Sequence, residues 1–470
     1  MPERPPGKPR QKGWTAGHRG AGIATTSAVI SRLSAQDAQI LRLEAGPIRG
    51  HSAKVIVLEP AGEHALPSLA ELRAAIAARL DAAPRLRQRL VRSPLPMSRP
   101  AWADDPRFDV TRHVELVPVK GPVSRSGLER IVAGLMARRL DRSRPLWHLD
   151  VVPELADGAM ALIWRLHHCM ADGATAMAFA SAVLWRPDPA YVPEPARPWT
   201  PRPLPAPSAL LVSGLRERGR KFLHPGLRSS VRTLLSARTA AARELSRTAA
   251  VTGLAGRAGP DRNATLIPLP LNACKLAGKA ISESATLNDV LLAIIAGGLR
   301  AWLARRDEPE RGIRVKVPVS LHQPGEHGVV GNRDSYFFVD LPVTEPDPAA
   351  RVLAIGRQTA ERKRSHDADA LYEIGQRPVV ARWAMSPRVF TVNVSNVRGP
   401  GQPVYVLGGR VRELYALSEI AQGHVLRVAA ISSAGTLSIG LLADARAVPD
   451  LDGLAGDVRQ AAADLLSAAG

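Results

Sequence analysis

The sequence predicts a layered α/β protein (α+β in its layering) built in two parts, and three observations carry that prediction. Short β-rich runs alternate with segments of helical period in both halves of the 470-residue chain. Nine prolines fall between Pro187 and Pro207, which excludes helix and central strand and marks a connection between the halves. The 45% hydrophobic content and the length suit two globular cores. The expected division is a disordered basic tail over 1–30, a first domain over 31–185, a proline-rich and then basic helical crossover over 186–260, and a second domain over 261–470.

In the first half, Ser34 can cap a helix continuing from Asp37 to Leu43. Ala53 to Glu59 is a β-rich run, and Leu69, Leu72, Ile76 and Leu80 recur at helical spacing over 68–80. Phe108 to Val114 reads as a strand and Gly127 to Leu140 as a helix. His148 to Pro153 and Ala159 to His168 read as an antiparallel hairpin turning at Asp157-Gly158.

The crossover carries eleven Lys/Arg against two acids between Arg202 and Arg257, with Leu210, Leu211, Leu215, Phe222, Leu227, Val231, Leu234 and Leu235 as apolar partners. Such a stretch can lie on an anionic lipid surface or pack on its own protein as a solvated helix, and the pattern leaves both open. Beyond it, Thr265 to Pro270 suggests a strand. Thr286 with Asp289 resembles a capping box at the head of a helix whose buried stripe is Leu291, Ile294, Ile295, Leu299 and Trp302. Arg314 to Ser320, Tyr336 to Leu341 and Phe390 to Asn396 read as strands. Leu426 to Ile431 and Thr436 to Leu442 form a hairpin, and Leu451 to Ala468 a terminal helix.

No uninterrupted apolar run reaches spanning length, Val290 to Leu299 being too short. The first thirty residues lack an apolar core, so they read as a basic tail and not a signal peptide, and a cytoplasmic protein is expected. Cys169 and Cys274 make neither a disulfide framework nor a metal cluster. The net charge of +20 attracts anionic lipid headgroups, phosphorylated substrates or nucleic acid alike; biased genome composition would produce it too. With 4% aromatic residues and no recognisable DNA- or RNA-binding signature, nucleic acid is the weakest of these partners. Peripheral contact with an anionic inner membrane face or a lipid inclusion fits the charge.

The chemistry concentrates in His167-His168-Cys169-Met170-Ala171-Asp172-Gly173, directly after the apolar run Met160 to Leu166. Along a strand, His168 would share a face with Leu162, Trp164 and Leu166, and His167 with Ala161, Ile163 and Arg165, so only one histidine can face a given cavity. Asp172 stands where a helix N-cap is expected, and Gly173 where the backbone needs unusual torsions or close approach. Two adjacent histidines alone are more often ordinary strand-end residues; the full pattern points to a site. A neutral histidine suits general-base catalysis. The chain shows no G-x-S-x-G, Walker loop, G-x-G-x-x-G or H-E-x-x-H, which removes support for covalent serine, nucleotide-hydrolysing, dinucleotide and zincin chemistry. Cys169 would point away from His168. A histidine activating an acceptor hydroxyl for attack on an activated acyl group fits best.

These residues resemble the bacterial wax ester synthase/diacylglycerol acyltransferase family, within the group related to chloramphenicol acetyltransferase and peptide-synthetase condensation domains. The carriers are His167-His168-x-x-x-Asp172-Gly173, Pro145-Leu146-Trp147, Asn288-Asp289, Ser395-Asn396-Val397-Arg398-Gly399-Pro400, and Leu437 to Asp444, over about Leu33 to Leu466. The resemblance implies two chloramphenicol-acetyltransferase-like domains in a pseudo-dimer with a channel between them. Acyl-coenzyme A would enter from one side as co-substrate, with no bound cofactor or metal, and diacylglycerol or a long-chain alcohol from the other, giving triacylglycerol and wax esters. By position His168 would be the proton acceptor, and His167, Asp172 and Gly173 would support it. Asn288 and Asp289 would maintain the second-domain side, with Pro145 and Trp147 as further support. Two places depart from the family pattern: Glu154 replaces a glycine, and Ile48-Arg49-Gly50-His51 replaces Pro-Met-His. The alternatives are a condensation-type transferase using carrier-bound acyl groups on a natural-product hydroxyl, and a non-catalytic lipid- or polyanion-binding relative.

Overall fold

The computed structural model describes residues 30–92, 99–223, 248–249, 252–308, 312–320, 334–365 and 384–469. The basic tail therefore lies outside the described residues, as do Leu227, Val231, Leu234 and Leu235 of the basic stretch and the side chain of Phe222.

Fourteen strands appear among the described residues: β1 (His51–Glu59), β2 (Gln88–Val91), β3 (Ala101–Asp104), β4 (Val114–Leu116), β5 (Trp147–Val152), β6 (Met160–His167), β7 (Arg262–Pro270), β8 (Arg314–Ser320), β9 (Asp334–Asp340), β10 (Val392–Arg398), β11 (Tyr405–Val406), β12 (Gly409–Ser418), β13 (Leu426–Ser433) and β14 (Thr436–Asp444). They form two six-stranded sheets, ordered β11-β12-β1-β6-β5-β4 and β7-β14-β13-β10-β8-β9, with β2 and β3 as a separate ribbon.

Alternation along β1 and β6 gives the first sheet two apolar faces. Ile56, Leu58, Leu162, Trp164 and Leu166 pack with Leu72 and Ile76 of the helix Leu69–Arg79 and with Ala176 and Phe179 of the helix Gly173–Val183. Ala53, Val55, Ala161 and Ile163 pack against Leu128, Val132 and Met136 of the helix Arg125–Met136. A sheet buried on both faces explains why β6 is an almost continuous apolar run.

The second sheet is covered on one face by the helices Leu271–Ile281, Leu287–Ala304 and Leu451–Ala468, whose apolar stripes pack on Val315, Val317, Val392, Val394, Val428 and Ala430. Its other face turns to the first unit: Ala429 and Ile431 join one core of the first sheet, and Ala264, Leu266 and Leu442 join the other. At that junction β12 lies against β14 so closely that a Cβ on Gly440 would run into the Ala416 carbonyl oxygen.

Local signals hold where they are self-contained. Ser34 with Asp37, Ser68 with Glu71 and Thr286 with Asp289 all form reciprocal capping boxes. The β5–β6 hairpin turns through Gly158 at φ +78°.

Two expectations are corrected. Phe108 to Val114 is not a strand: Asp109 accepts the Thr111 amide, a short 3₁₀ turn spans Val110–Arg112, and extended structure begins at Val114. And although one helix among the described residues, Leu287–Ala304, is long and apolar enough to cross a membrane, it is the buried core helix of the second unit.

A third finding bears on the domains. Tyr405–Ser418 falls late in the chain, yet β11 and β12 hydrogen-bond into the first sheet, β12 running antiparallel to β1 with Ser52 opposite Ser418. The first sheet is thus completed by a segment from the other end of the sequence.

Candidate active site

The histidine motif sits where β6 ends. His167 is the last strand residue, and its amide donates to the Leu146 carbonyl at 3.0 Å, so the Pro145-Leu146-Trp147 segment grips the motif through backbone. Trp147 is anchored in turn, its indole donating to the Leu86 carbonyl at 2.7 Å and its ring stacked 4.6 Å from His113. After His167 the chain turns back on itself, the Met170 amide donating to the His167 carbonyl at 2.9 Å. Asp172 is buried and caps the helix Gly173–Val183, accepting the Thr175 amide at 2.7 Å. Gly173 is required for close approach: a Cβ there would stand 2.6 Å from Val397 of β10.

The two histidines have different surroundings. The Nδ1 of His167 accepts the Cys169 amide at 3.1 Å, which leaves the ring proton on Nε2, and this donates to Glu44 Oε2 at 3.1 Å. Burial alone would raise the Glu44 pKa, but its bonds to His167 and Arg142 outweigh that and hold it below the usual value. Both ring nitrogens of His167 are therefore occupied within the protein, leaving neither for a substrate.

His168 leaves the strand by the turn and looks the other way. Its amide donates to the Gly50 carbonyl at 2.9 Å, and its Nε2 lies 3.4 Å from the Ser418 hydroxyl on β12. Gly50, at φ +70°, has no room for a side chain, since a Cβ would meet His167 Nε2 at 2.8 Å. Lys54 and Ser52 on β1 share the Ser418 face. His168 is partly exposed, whereas His167 is buried. Burial, then the nearby charges of Arg427, His167 and Lys54, lower its pKa to about 3. The ring is neutral at physiological pH and always in the proton-accepting form.

This has a measurable consequence. In the unfolded chain an imidazole takes up a proton below its ordinary value of 6.5, whereas His168 resists until about 3 and His113 until about 4, and burial depresses His51 and His424 too. The unfolded state thus binds more protons in that window, so the stabilising contribution is complete above 6.5 and is lost as pH falls. The melting temperature should decline on acidification through this range, and less steeply in His168→Asn. A His168→Asn profile parallel to wild type would show that His168 titrates normally.

The second-half residues of the motif set stand apart. Asp289 is buried with both oxygens occupied, Oδ2 by the Thr286 amide and hydroxyl and Oδ1 by Thr359 at 2.7 Å. Among the described residues no hydrogen bond joins Asn288 or Asp289 to the histidines; Asp289 fixes the head of the helix Leu287–Ala304. Two surface grooves flank the helix Arg125–Met136, and neither is lined by a motif residue. No group of His, Cys, Asp and Glu suited to a metal occurs among the described residues. Sequence reasoning missed Glu44, Ser418 and Arg427, whose relation to the motif depends on pairing across the fold; Gly50 and His51 were visible only as a departure from a pattern.

Comparison with known proteins gives the chain's family and fold. The wax ester synthase/diacylglycerol acyltransferase catalytic domain matches residues 33–291, and the C-terminal domain of the same family matches residues 330–465. A probable diacylglycerol O-acyltransferase of Mycobacterium tuberculosis, tgs1, is 30% identical over 465 residues, covering 93% of this chain and 96% of the relative. A putative diacylglycerol O-acyltransferase of Mycobacterium bovis is 31% identical over 399 residues, covering 80% and 85%. Among solved structures, the wax ester synthase/diacylglycerol acyltransferase of Marinobacter aquaeolei VT8 superposes with a TM-score of 0.68 at 21% identity, over 94% of this chain and all of that one. The first condensation domain of the CDA synthetase has a TM-score of 0.60 at 16% identity, over 95% and 98%, and so shares the fold.

Proposed function

Since the chain belongs to the wax ester synthase/diacylglycerol acyltransferase family, we propose that it is an acyl-coenzyme A-dependent O-acyltransferase that forms triacylglycerol from diacylglycerol and accepts long-chain alcohols to give wax esters. The observation that carries this reading is the division of labour in the motif: a buried His167 with both ring nitrogens occupied, behind a neutral, partly exposed His168.

In this mechanism the acceptor hydroxyl sits against His168 and attacks the thioester carbonyl carbon as the imidazole takes its proton. The tetrahedral intermediate collapses, the carbon–sulfur bond breaks, and the proton held by His168 passes to the leaving thiolate. The products are an ester and free coenzyme A, with no covalent enzyme intermediate. His167, Asp172 and Gly173 aim the base. In this reading a channel runs where the two sheets meet, and acyl-coenzyme A and the acceptor reach the partly exposed His168 from opposite sides.

Apolar acceptors come from lipid, and exposed Leu204, Val212 and Leu215, on and next to the helix Pro207–Leu223, support peripheral contact with an anionic membrane face or lipid inclusion.

The test is a product-resolved assay offering purified protein an acyl-coenzyme A with diacylglycerol and hexadecanol in competition. Triacylglycerol should dominate, and each acceptor should suppress the other's product. No ester from acyl-coenzyme A, together with turnover of an acyl carrier protein thioester, would replace this reading by a condensation-type one.

A further inference from the structure

Across the second sheet, pairing aligns three polar residues in one row. Lys316 of β8 stands opposite Asn393 of β10, and Asn393 opposite Arg427 of β13. Partners in register project to one face, and the neighbours identify it. Val315, Val317, Val392, Val394, Val428 and Ala430 point into the second unit's own core, whereas Ala429 and Ile431, which alternate with Val428 and Ala430, belong to the core containing Trp164 and Leu166. Val397, two pleats along from Asn393, is the residue against Gly173. The row therefore lies on the face turned toward the histidine motif.

The members of the row differ in how they are satisfied. The Lys316 ammonium lies 3.9 Å from the Tyr336 ring centroid and 3.4 Å from Met385 Sδ, held among aromatic faces. The Arg427 Nε is buried without a hydrogen-bond partner, and so is the Asn393 side-chain oxygen beside it. Among the described residues no carboxylate stands within ion-pair distance of Arg427. Glu419, the acid whose charge it feels, is bound to Arg262 at 2.9 Å. A guanidinium whose Nε is buried with no anion in reach is costly, and on the face turned toward the motif its charge opposes the protonation that the base must undergo. That arrangement makes sense when negative charge forms between the two during the reaction.

We propose that Arg427, flanked by Asn393, is a catalytic residue of the acyl transfer: it receives the negative charge that develops on the thioester carbonyl oxygen. The inference rests on the acyltransferase reading above. As the acceptor oxygen bonds to the carbonyl carbon, the carbon–oxygen π pair moves onto the carbonyl oxygen facing Arg427, and the hydroxyl proton moves to His168. When that pair returns, the carbon–sulfur bond breaks and His168 protonates the thiolate. Arg427 stays cationic throughout: burial lowers its pKa only to about 10, whereas Lys316 falls to about 7. The oxyanion in turn raises the proton affinity of His168, offsetting the surroundings that depress it in the empty site.

The test uses the full chain with Arg427→Met and Arg427→Lys. Loss of one preorganised donor at a developing oxyanion lowers kcat by about 10²-fold, so Arg427→Met should show that fall with the KM for acyl-coenzyme A near wild type. Arg427→Lys should recover part of the rate. In parallel, NMR of ¹³C-labelled histidine should show the His168 titration moving up in Arg427→Met. A folded Arg427→Met with wild-type kcat, or one altered only in KM, overturns the proposal, as does Arg427→Lys if it is no more active than Arg427→Met. If the wild-type chain transfers no acyl group at all, the functional reading fails instead. The histidine titration still judges the placement of Arg427, and an unmoved titration overturns it.

Discussion

On the proposed mechanism, His168→Ala should lower the rate of acyl transfer by about 10²- to 10⁴-fold, the worth of a positioned general base, while the protein stays folded. The separation of the two effects follows from where the side chain sits. The imidazole stands beyond the end of β6 and is partly exposed, with Ser418 at 3.4 Å as its hydrogen-bond neighbour, and the backbone bond from its amide to Gly50 does not depend on the side chain. Truncation therefore removes a partly exposed ring instead of opening a void in a close-packed core. Single-turnover transfer from labelled acyl-coenzyme A measures the chemical step, and near-ultraviolet circular dichroism reports the packing of Trp164 and Trp147 nearby. A folded variant with wild-type single-turnover rate would assign the proton to another group.

Glu44→Ala has the opposite signature and damages the fold first. Glu44 is buried and joins His167 to Arg142. Removing it strands the Nε2–H of His167 in the interior and releases Arg142, which is half-exposed and can turn to water. The orphaned donor dominates, so the expected loss is about 3 kcal/mol, between the penalty for an unsatisfied buried group and that for a broken buried ion pair. Urea unfolding should show a lower midpoint with an unchanged slope. Glu44→Gln, which keeps an acceptor for His167, should recover much of the stability. Equal stability of Glu44→Ala and wild type would mean that the network contributes nothing to folding.

The contrast between these positions shows what can be read along a chain. His167 to Gly173 stands out because its residues are contiguous and follow an apolar strand, and the helix heads at Ser34, Ser68 and Thr286 are legible because each capping box closes within three residues. Phe108 to Val114 misleads because Asp109 offers the backbone a local hydrogen bond that competes with extended structure. Glu44 lies 123 residues from the histidine it holds and Ser418 lies 250 from the one it touches, so nothing near either in the chain announces its role. The placement of β12 is lost for the same reason: a strand's period shows that it needs neighbours, and the neighbour is chosen by the whole fold.

That placement of β12 also sets the order in which the protein can come into being. A ribosome releases β6 and the His168 that follows it long before it releases Gly409–Ser418, and until then β1 has β6 on one side and an open edge on the other. A chain interrupted between Gly173 and Gly409 holds the whole histidine motif and still lacks Ser418 and Arg427. On the proposed mechanism such a copy cannot complete acyl transfer, and its exposed β1 edge is the surface that a chaperone, or another nascent copy, would meet first.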